Sequence, residues 1–242
     1  LAQHWERVER AEKDPTDEKA LYNGKSLKQI LEAEPFDVIT IQQYSLRSHD
    51  RSTYRPFARH LVDLIKKIQP KAEIVVHQTW AYRVDDPRFT KKPAKPDEPD
   101  TQKAMYEGLT QAYESLAAEL GTRIIPSGDA FYLADTDPAW GFKPEADFDP
   151  KKAEPPAAPS EKHSLHAGYK WSKGKDGKQT LAYDGHHASV AGQYLGACAY
   201  FEVLFGESVV GNGFVPKSLD AEDARYLQET VHKAVEKRKA PK

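Results

Sequence analysis

In Tyr183-Asp184-Gly185-His186-His187-Ala188-Ser189 a carboxylate stands three residues ahead of an imidazole, just before a helix start, and this spacing is the chain's best candidate for acid–base chemistry. In a loop, Asp184 at that offset can accept the Nδ1 proton of His187. This fixes the tautomer whose Nε2 is free to take a proton from a hydroxyl, and the negative charge stabilises the imidazolium that forms. The plainer reading of an isolated Asp-x-x-His is a turn flanked by surface histidines. A different chemistry arises if His163-x-x-His166 joins Asp184, His186 and His187, because histidines with a carboxylate are a workable zinc or iron set. His163 and His166, however, fall in an irregular stretch where no periodic element fixes their facing. His49, His60 and His77 read as surface or sheet-edge residues, and Cys198, inside an apolar helical stripe, reads as an inert buried thiol.

Periodicity identifies the elements that must position these residues. Asp37-Val-Ile-Thr-Ile-Gln42 is a short β-branched run that suits a strand buried on both faces, leaving its polar end for function. Tyr54 to Ile68 sets Phe57, Leu61, Leu64, Ile65 and Ile68 at helical spacing before Pro70. Glu73-Ile-Val-Val-His-Gln78 repeats the strand. Lys103 to Leu120 repeats the helix, with Met105, Leu109, Leu116 and Leu120 inward and Gly121 as its stop. Arg123-Ile-Ile-Pro126 is a third strand, and the alternation predicts right-handed crossovers and a parallel sheet. Ahead of it, Ser26 to Ala33 reads as a short helix capped by Ser26, with Gln29 reaching back.

Residues 143–182 form a surface excursion whose Glu154-Pro-Pro-Ala-Ala-Pro159 cannot pack a core. Its second half, Tyr169-Lys-Trp171 and Leu181-Ala-Tyr183 around Asp176-Gly177, predicts a hairpin that delivers the chain to Asp184. Ser189 to Phe205 follows as a helix, with Val190, Tyr194, Cys198 and Phe201 on one stripe and Gly206 at its end. A last helix runs from Ser218 to about Lys237. Thr79, Trp80, Tyr82 and Arg83 lie beyond the second strand, on the carboxyl edge where open α/β sheets bind ligands. They could form a substrate wall, with the rings stacking on sugars and Arg83 gripping a carboxylate or sulfate. The competing reading caps the core with Trp80 and Tyr82 and pairs Arg83 with Asp85 or Asp86. Tyr44 after the first strand, and Tyr169, Trp171 and His186 around the hairpin, are further substrate-binding candidates.

Composition narrows the function classes. At 242 residues the chain suits a single domain over 1–242. With 35 basic and 37 acidic residues the net charge is -2, so no global field steers it to nucleic acid or an anionic membrane. A small neutral or modestly charged substrate is the expected partner. No run approaches the ~20 apolar residues of a membrane span. The single cysteine excludes an internal disulfide and a thiolate zinc cluster. A chain that opens on Leu1 is expected to be a processed or truncated product.

Asp184-Gly-His-His187-Ala-Ser-Val-Ala-Gly192-Gln-Tyr194-Leu-Gly-Ala-Cys198 resembles the last conserved block of SGNH hydrolases, where Asp-x-x-His precedes a helix carrying a Gly. Gln42-Gln-Tyr-Ser45, His77-Gln-Thr-Trp-Ala-Tyr-Arg83 and Ile125-Pro-Ser-Gly-Asp-Ala-Phe131 resemble a bacterial branch of that superfamily long filed as a domain of unknown function. The four segments stand in the right order across nearly the whole chain. The resemblance implies a three-layer, flavodoxin-like α/β fold, a mostly parallel sheet with helices on both faces. It also implies ester hydrolysis through an acyl-enzyme, without metal or organic cofactor. Asp184 would orient His187 as the base. Gln42, with Gln43 its neighbour, would fill the superfamily's Asn position as oxyanion donor.

The family's Gly-Asn-Ser or Gly-Asp-Ser block, which carries the nucleophile after the first strand, has no counterpart in this chain. Leu1-Ala-Gln-His-Trp5 resembles the stretch that follows it. Ser127-Gly-Asp comes after the wrong strand, and Ser26 of Asn23-Gly-Lys-Ser26 starts a helix. The nucleophile is therefore expected in a preceding segment, because loss of the first strand would expose the sheet's apolar centre. Two other classes stay open: a non-catalytic sugar-binding module, and a metal-dependent phospho- or sulfoesterase built on the histidines. Polar and aromatic residues around the expected cleft favour an O-acylated carbohydrate or another small polar ester over a lipid. Family habit implies export to the periplasm or beyond the cell.

Overall fold

The computed structural model describes residues 1–90 and 98–239. In chain order the elements are α1 (Ala2–Lys13), α2 (Leu27–Ala33), β1 (Val38–Ile41), α3 (Phe57–Ile68), β2 (Glu73–His77), α4 (Pro87–Thr90), α5 (Gln102–Leu120), β3 (Ile124–Ile125), α6 (Ser127–Asp135), β4 (His166–Lys173), β5 (Gln179–Ala188), α7 (Val190–Phe205) and α8 (Ala221–Lys239), with short 3-10 turns between some of them. The result is a mixed α/β chain. It divides into two compact units, Leu1–Thr79 with Gly108–Ile125, and Trp80–Glu107 with Pro126–Lys242, the boundary falling within α5.

The first unit holds a three-stranded parallel sheet in the order β1-β2-β3. Val38 pairs with Glu73 through to Ile41 with Val76, and Val76 and His77 pair with Ile124 and Ile125. The runs of β2 and β3 place Ile74, Val75, Val76 and Ile125 in the core, whereas β1, expected to be buried on both faces, buries only Ile41 and leaves Thr40 exposed, because among the described residues it pairs with a neighbour on one side alone. β3 stops after two residues because Pro126 has no N–H for the ladder. α3 buries Ala58, Leu61, Val62 and Ile65 and ends ahead of Pro70. It begins at Phe57 rather than Tyr54, since Arg51–Tyr54 forms a 3-10 turn and Pro56 occupies the cap. α2 has the expected reciprocal cap between Ser26 and Gln29.

In the second unit β4 and β5 form an antiparallel hairpin that pairs Tyr169 with Tyr183 and Trp171 with Leu181. Its turn holds Gly177 at φ 79°, a conformation that favours glycine. The hairpin is longer than the aromatic pattern suggests. Its far end pairs Gly168 with Asp184 and then His166 with Ala188, so two residues of β4 span four of β5 and form a bulge. Asp184 to Ala188 therefore lie within a strand, not in the loop the sequence suggested. α7 starts at Ser189, whose hydroxyl accepts the Gly192 N–H, and ends at Gly206 in the left-handed region. Gly192 has no room for a side chain, because a Cβ would lie 2.2 Å from Leu165 O. Tyr194 and Cys198 are buried as expected, whereas Val190 in the first turn is 46% exposed. Residues 143–165 contain no helix or strand. α1 and α6 were not anticipated, and α8 begins at Ala221 instead of Ser218.

Candidate functional site

A bulge is what allows Asp184 to meet His187. In a regular strand, residues three apart project to opposite faces. The extra residues fold the chain back so that Asp184 Oδ1 accepts the backbone N–H of both His186 and His187 at 3.0 Å, while Oδ2 lies 2.8 Å from His187 Nδ1. A carboxylate only accepts, so Nδ1 carries the proton and Nε2 presents a lone pair. That atom makes no hydrogen bond with any described residue, and the imidazole is 84% exposed against 39% for the Asp184 side chain. Burial pushes the Asp184 carboxyl up, but the His187 N–H, the His187 ring and the His186 N–H outweigh it and bring it down to about 2. The carboxylate stays ionised across the ordinary pH range.

The segment 80–86 holds this bulge in place. Arg83 N–H donates to Gly185 O at 2.9 Å, Trp80 Nε1 donates to His186 O at 2.9 Å, and Tyr183 Oη donates to Asp85 at 2.7 Å. The His186 ring packs 4.0 Å from that of Tyr82, and its Nε2 comes 2.8 Å from the buried Asp86 Oδ2, out of line for a hydrogen bond. A Cβ on Gly185 would lie 2.3 Å from Tyr183 Oη and 2.9 Å from Asp86 Oδ2, so any larger residue would have to move these side chains.

These contacts give the expected substrate wall an internal role. Arg83 is 1% exposed. Its Nε and Nη2 bond both Asp85 oxygens at 2.6 and 2.8 Å, and its Nη1 bonds Glu161 and the Ser164 hydroxyl. Phe142 and Tyr183 place ring faces 4.3 and 5.0 Å from the guanidinium. Burial works against the charge, but Asp85 and Glu161 hold the guanidinium firmly protonated. Four of its five N–H groups are engaged, and at this depth the fifth cannot reach out to grip a substrate carboxylate or sulfate. Tyr82 is buried, and Trp80 stacks on Phe131 at 4.5 Å, so the reading in which these rings cap the core is the one observed. Trp171 does not belong with Asp184 either. It lies opposite Leu181, on the face shared with Tyr169 and Tyr183, and donates its indole N–H to Ala157 O, whereas Asp184 projects from the other face.

Gln42, Gln43, Tyr44 and His77 belong to the first unit. Register sets their arrangement: Ile41 stands beside Val76, so Gln42 follows beside His77. Gln42 is exposed, and its Oε1 accepts from His77 Nδ1, leaving the amide hydrogens without a partner among the described residues. His77 is buried rather than superficial, and burial pushes it down to about 4, so it is neutral. Gln43 is the opposite case. Its Nε2 donates to Thr53 O and Oγ1, and its Oε1 accepts from Tyr44 N–H and Leu1 N. Between the two glutamines, only Gln42 has donors to offer a ligand. Tyr44 is 60% exposed, and Thr79 is buried with its hydroxyl 3.1 Å from Tyr113 Oη.

The histidine set proposed for a metal disperses. His163 stacks on Trp140 and approaches Asp223, His166 reaches Ala81 O, His186 faces Asp86, and His187 faces Asp184. Among the described residues, one His and carboxylate group has metal-like spacing, Glu202 with His232 and Glu236. Its members already satisfy one another and their neighbours, through Val209 N–H and His232 on Glu202 and Lys239 on Glu236. Asp85, Asp86 and Gly185, which build the support for the Asp184–His187 pair, were missed as site residues. Their partners are far away in sequence, and the Asp-Gly dipeptide reads locally as a turn.

Fold and site together define a mixed α/β protein with a short parallel sheet and a His–Asp pair presented by a bulged hairpin. No protein-family model and no curated protein matches the chain. Among solved structures it is similar to a DUF4886 family protein from Bacteroides uniformis, with 23% sequence identity and a TM-score of 0.64, over 88% of this chain and 67% of that one. At that identity the likeness is one of fold.

Proposed function

We propose that this chain carries the acid–base part of a serine-type ester hydrolase with a three-layer, flavodoxin-like SGNH fold. The Asp184–His187 pair carries the reading: an ionised, doubly N–H-bonded carboxylate 2.8 Å from Nδ1, and a solvent-facing Nε2 with its lone pair available. In this reading a serine hydroxyl attacks the ester carbonyl while His187 Nε2 takes its proton. The imidazolium, stabilised by Asp184, returns that proton to the leaving alcohol, and an acyl-enzyme remains. Water then attacks the acyl group, His187 takes its proton in turn, and the serine oxygen leaves with it. The substrate class is a small polar ester, O-acylated carbohydrate included. Buried, with four of its five N–H groups engaged internally, Arg83 lends no support to an anionic substrate.

The test is hydrolysis of a p-nitrophenyl acetate type ester by the intact protein. His187→Ala is expected to abolish turnover, and undiminished turnover overturns the proposal. Gln42→Ala tests whether that amide acts in the same reaction. Loss of an oxyanion donor lowers kcat by ~10²–10³, whereas an unchanged kcat removes Gln42 from the mechanism.

A further inference from the structure

The side chains of His166 on β4 and Asp135 at the end of α6 are 0% and 7% exposed, and the proposed reaction uses neither. His166 Nε2 lies 3.0 Å from Ala81 O. A carbonyl only accepts, so Nε2 holds the ring proton and Nδ1 presents a lone pair. That lone pair is 3.9 Å from Asp135 Oδ2, which accepts from Gln102 Nε2 at 2.9 Å. Neither His166 Nδ1 nor Asp135 Oδ1 makes a hydrogen bond with any described residue. Were Asp135 ionised, two acceptors would face each other away from water, at the full cost of desolvating both. Were His166 an imidazolium, the unit would bury an ion pair beside the guanidinium of Arg83. A neutral acid avoids both. The carboxyl torsion is soft, so one oxygen can stay with Gln102 while the other turns an O–H towards Nδ1.

We infer that Asp135 is a protonated carboxylic acid that donates to His166 Nδ1, inverting the protonation these two side chains have when free in water. The donated bond fixes the Nε2–H tautomer that the Ala81 carbonyl requires, and so anchors the segment 80–86 from behind. Burial pushes the Asp135 carboxyl up to about 7 against the Gln102 bond and the Arg83 charge. It pushes His166 down to about 4, opposed by the Ala81 bond and Asp85 and assisted by Arg83 and His186. These groups, with the Tyr226 phenol on α8, are the polar and titratable neighbours the pair meets.

Over the mildly acid range the proton count hides the inversion from a pH titration of stability. Between about pH 4 and 6.5 the unfolded pair holds one proton, on the imidazole, and the folded pair also holds one, on the carboxyl. Folding moves the proton without net uptake. Above that window the unfolded pair is bare first, so the pair's contribution declines as pH rises through about 7, where Asp135 ionises and its donor is lost. The test is therefore spectroscopic. Carbon-13 carboxyl and nitrogen-15 imidazole shifts of the protein at pH 6 are expected to show a protonated Asp135 and a neutral His166 with its proton on Nε2. Asp135→Asn keeps a donor for Nδ1 and an acceptor for Gln102, so it is expected to retain that tautomer and most of the melting temperature, unlike Asp135→Ala. An ionised Asp135 or a doubly protonated His166 at pH 6 overturns the inference. So does an Asp135→Asn variant that melts as low as Asp135→Ala.

Discussion

Replacing Arg83 with lysine keeps the charge but removes the planar fork, which separates an internal anchor from a ligand-gripping arm. The guanidinium makes paired bonds to Asp85 at 2.6 and 2.8 Å, a bond to Glu161 and a 3.2 Å contact with the Ser164 hydroxyl. A lysine ammonium can keep about one of the carboxylate bonds. The carboxylates are 22% and 26% exposed, so each lost charge-assisted bond belongs at the low end, about 1.5 kcal/mol. Two such losses come to about 3 kcal/mol, and leaving the Phe142 ring face adds about 0.5 kcal/mol. For a chain of this size that total lowers the melting temperature by roughly 7–14 °C. Arg83→Ala goes further, because it leaves two partly buried carboxylates without their cation, at about 3–5 kcal/mol. Thermal and urea unfolding followed by circular dichroism measure both. An Arg83→Lys protein that melts with the parent while its KM for an ester rises would refute the anchor role and restore the ligand grip.

Gly185→Ala brings a methyl within 2.3 Å of Tyr183 Oη and must push aside the Tyr183 and Asp86 side chains that flank the bulge, at about 1–3 kcal/mol; an unshifted melting temperature with full esterase activity would contradict the close packing described. Asp184 is held low, so its ionised form contributes stability above about pH 4 that is lost only as pH falls through about 2. Carbon-13 NMR should place its midpoint there, and a midpoint near the ordinary 3.9 would mean that the His186 and His187 bonds do not form in solution. Burial pushes the Cys198 thiol up to about 11, so Ellman's reagent at pH 8 is expected to leave it unmodified until the protein unfolds; rapid labelling of the folded protein would contradict its burial.

The strands of the sheet were legible because β-branched runs between polar ends have few alternatives, and α3, α5 and α7 because their apolar residues repeat at helical spacing. α1 was hidden by its polarity, with Val8 its only buried helical residue. The Asp184 and His187 spacing pointed to a pair, but spacing alone could not supply its geometry. The same offset in an unbroken strand would have sent the two side chains to opposite faces, and only the mismatch between two residues of β4 and four of β5 brings them together. Arg83 shows the complementary failure. An exposed arginine at a strand end and a buried one look identical in sequence, and what distinguishes them here is Phe142, Glu161 and Ser164, some 60 to 80 positions along the chain. Local pattern reveals which groups can react, whereas tertiary partners determine which of them still have a hydrogen-bonding position to offer. By that criterion His187 Nε2 and the Gln42 amide remain candidates and Gln43 and Trp171 do not, while Arg83, with four of five N–H groups engaged, is too deeply buried to offer the last.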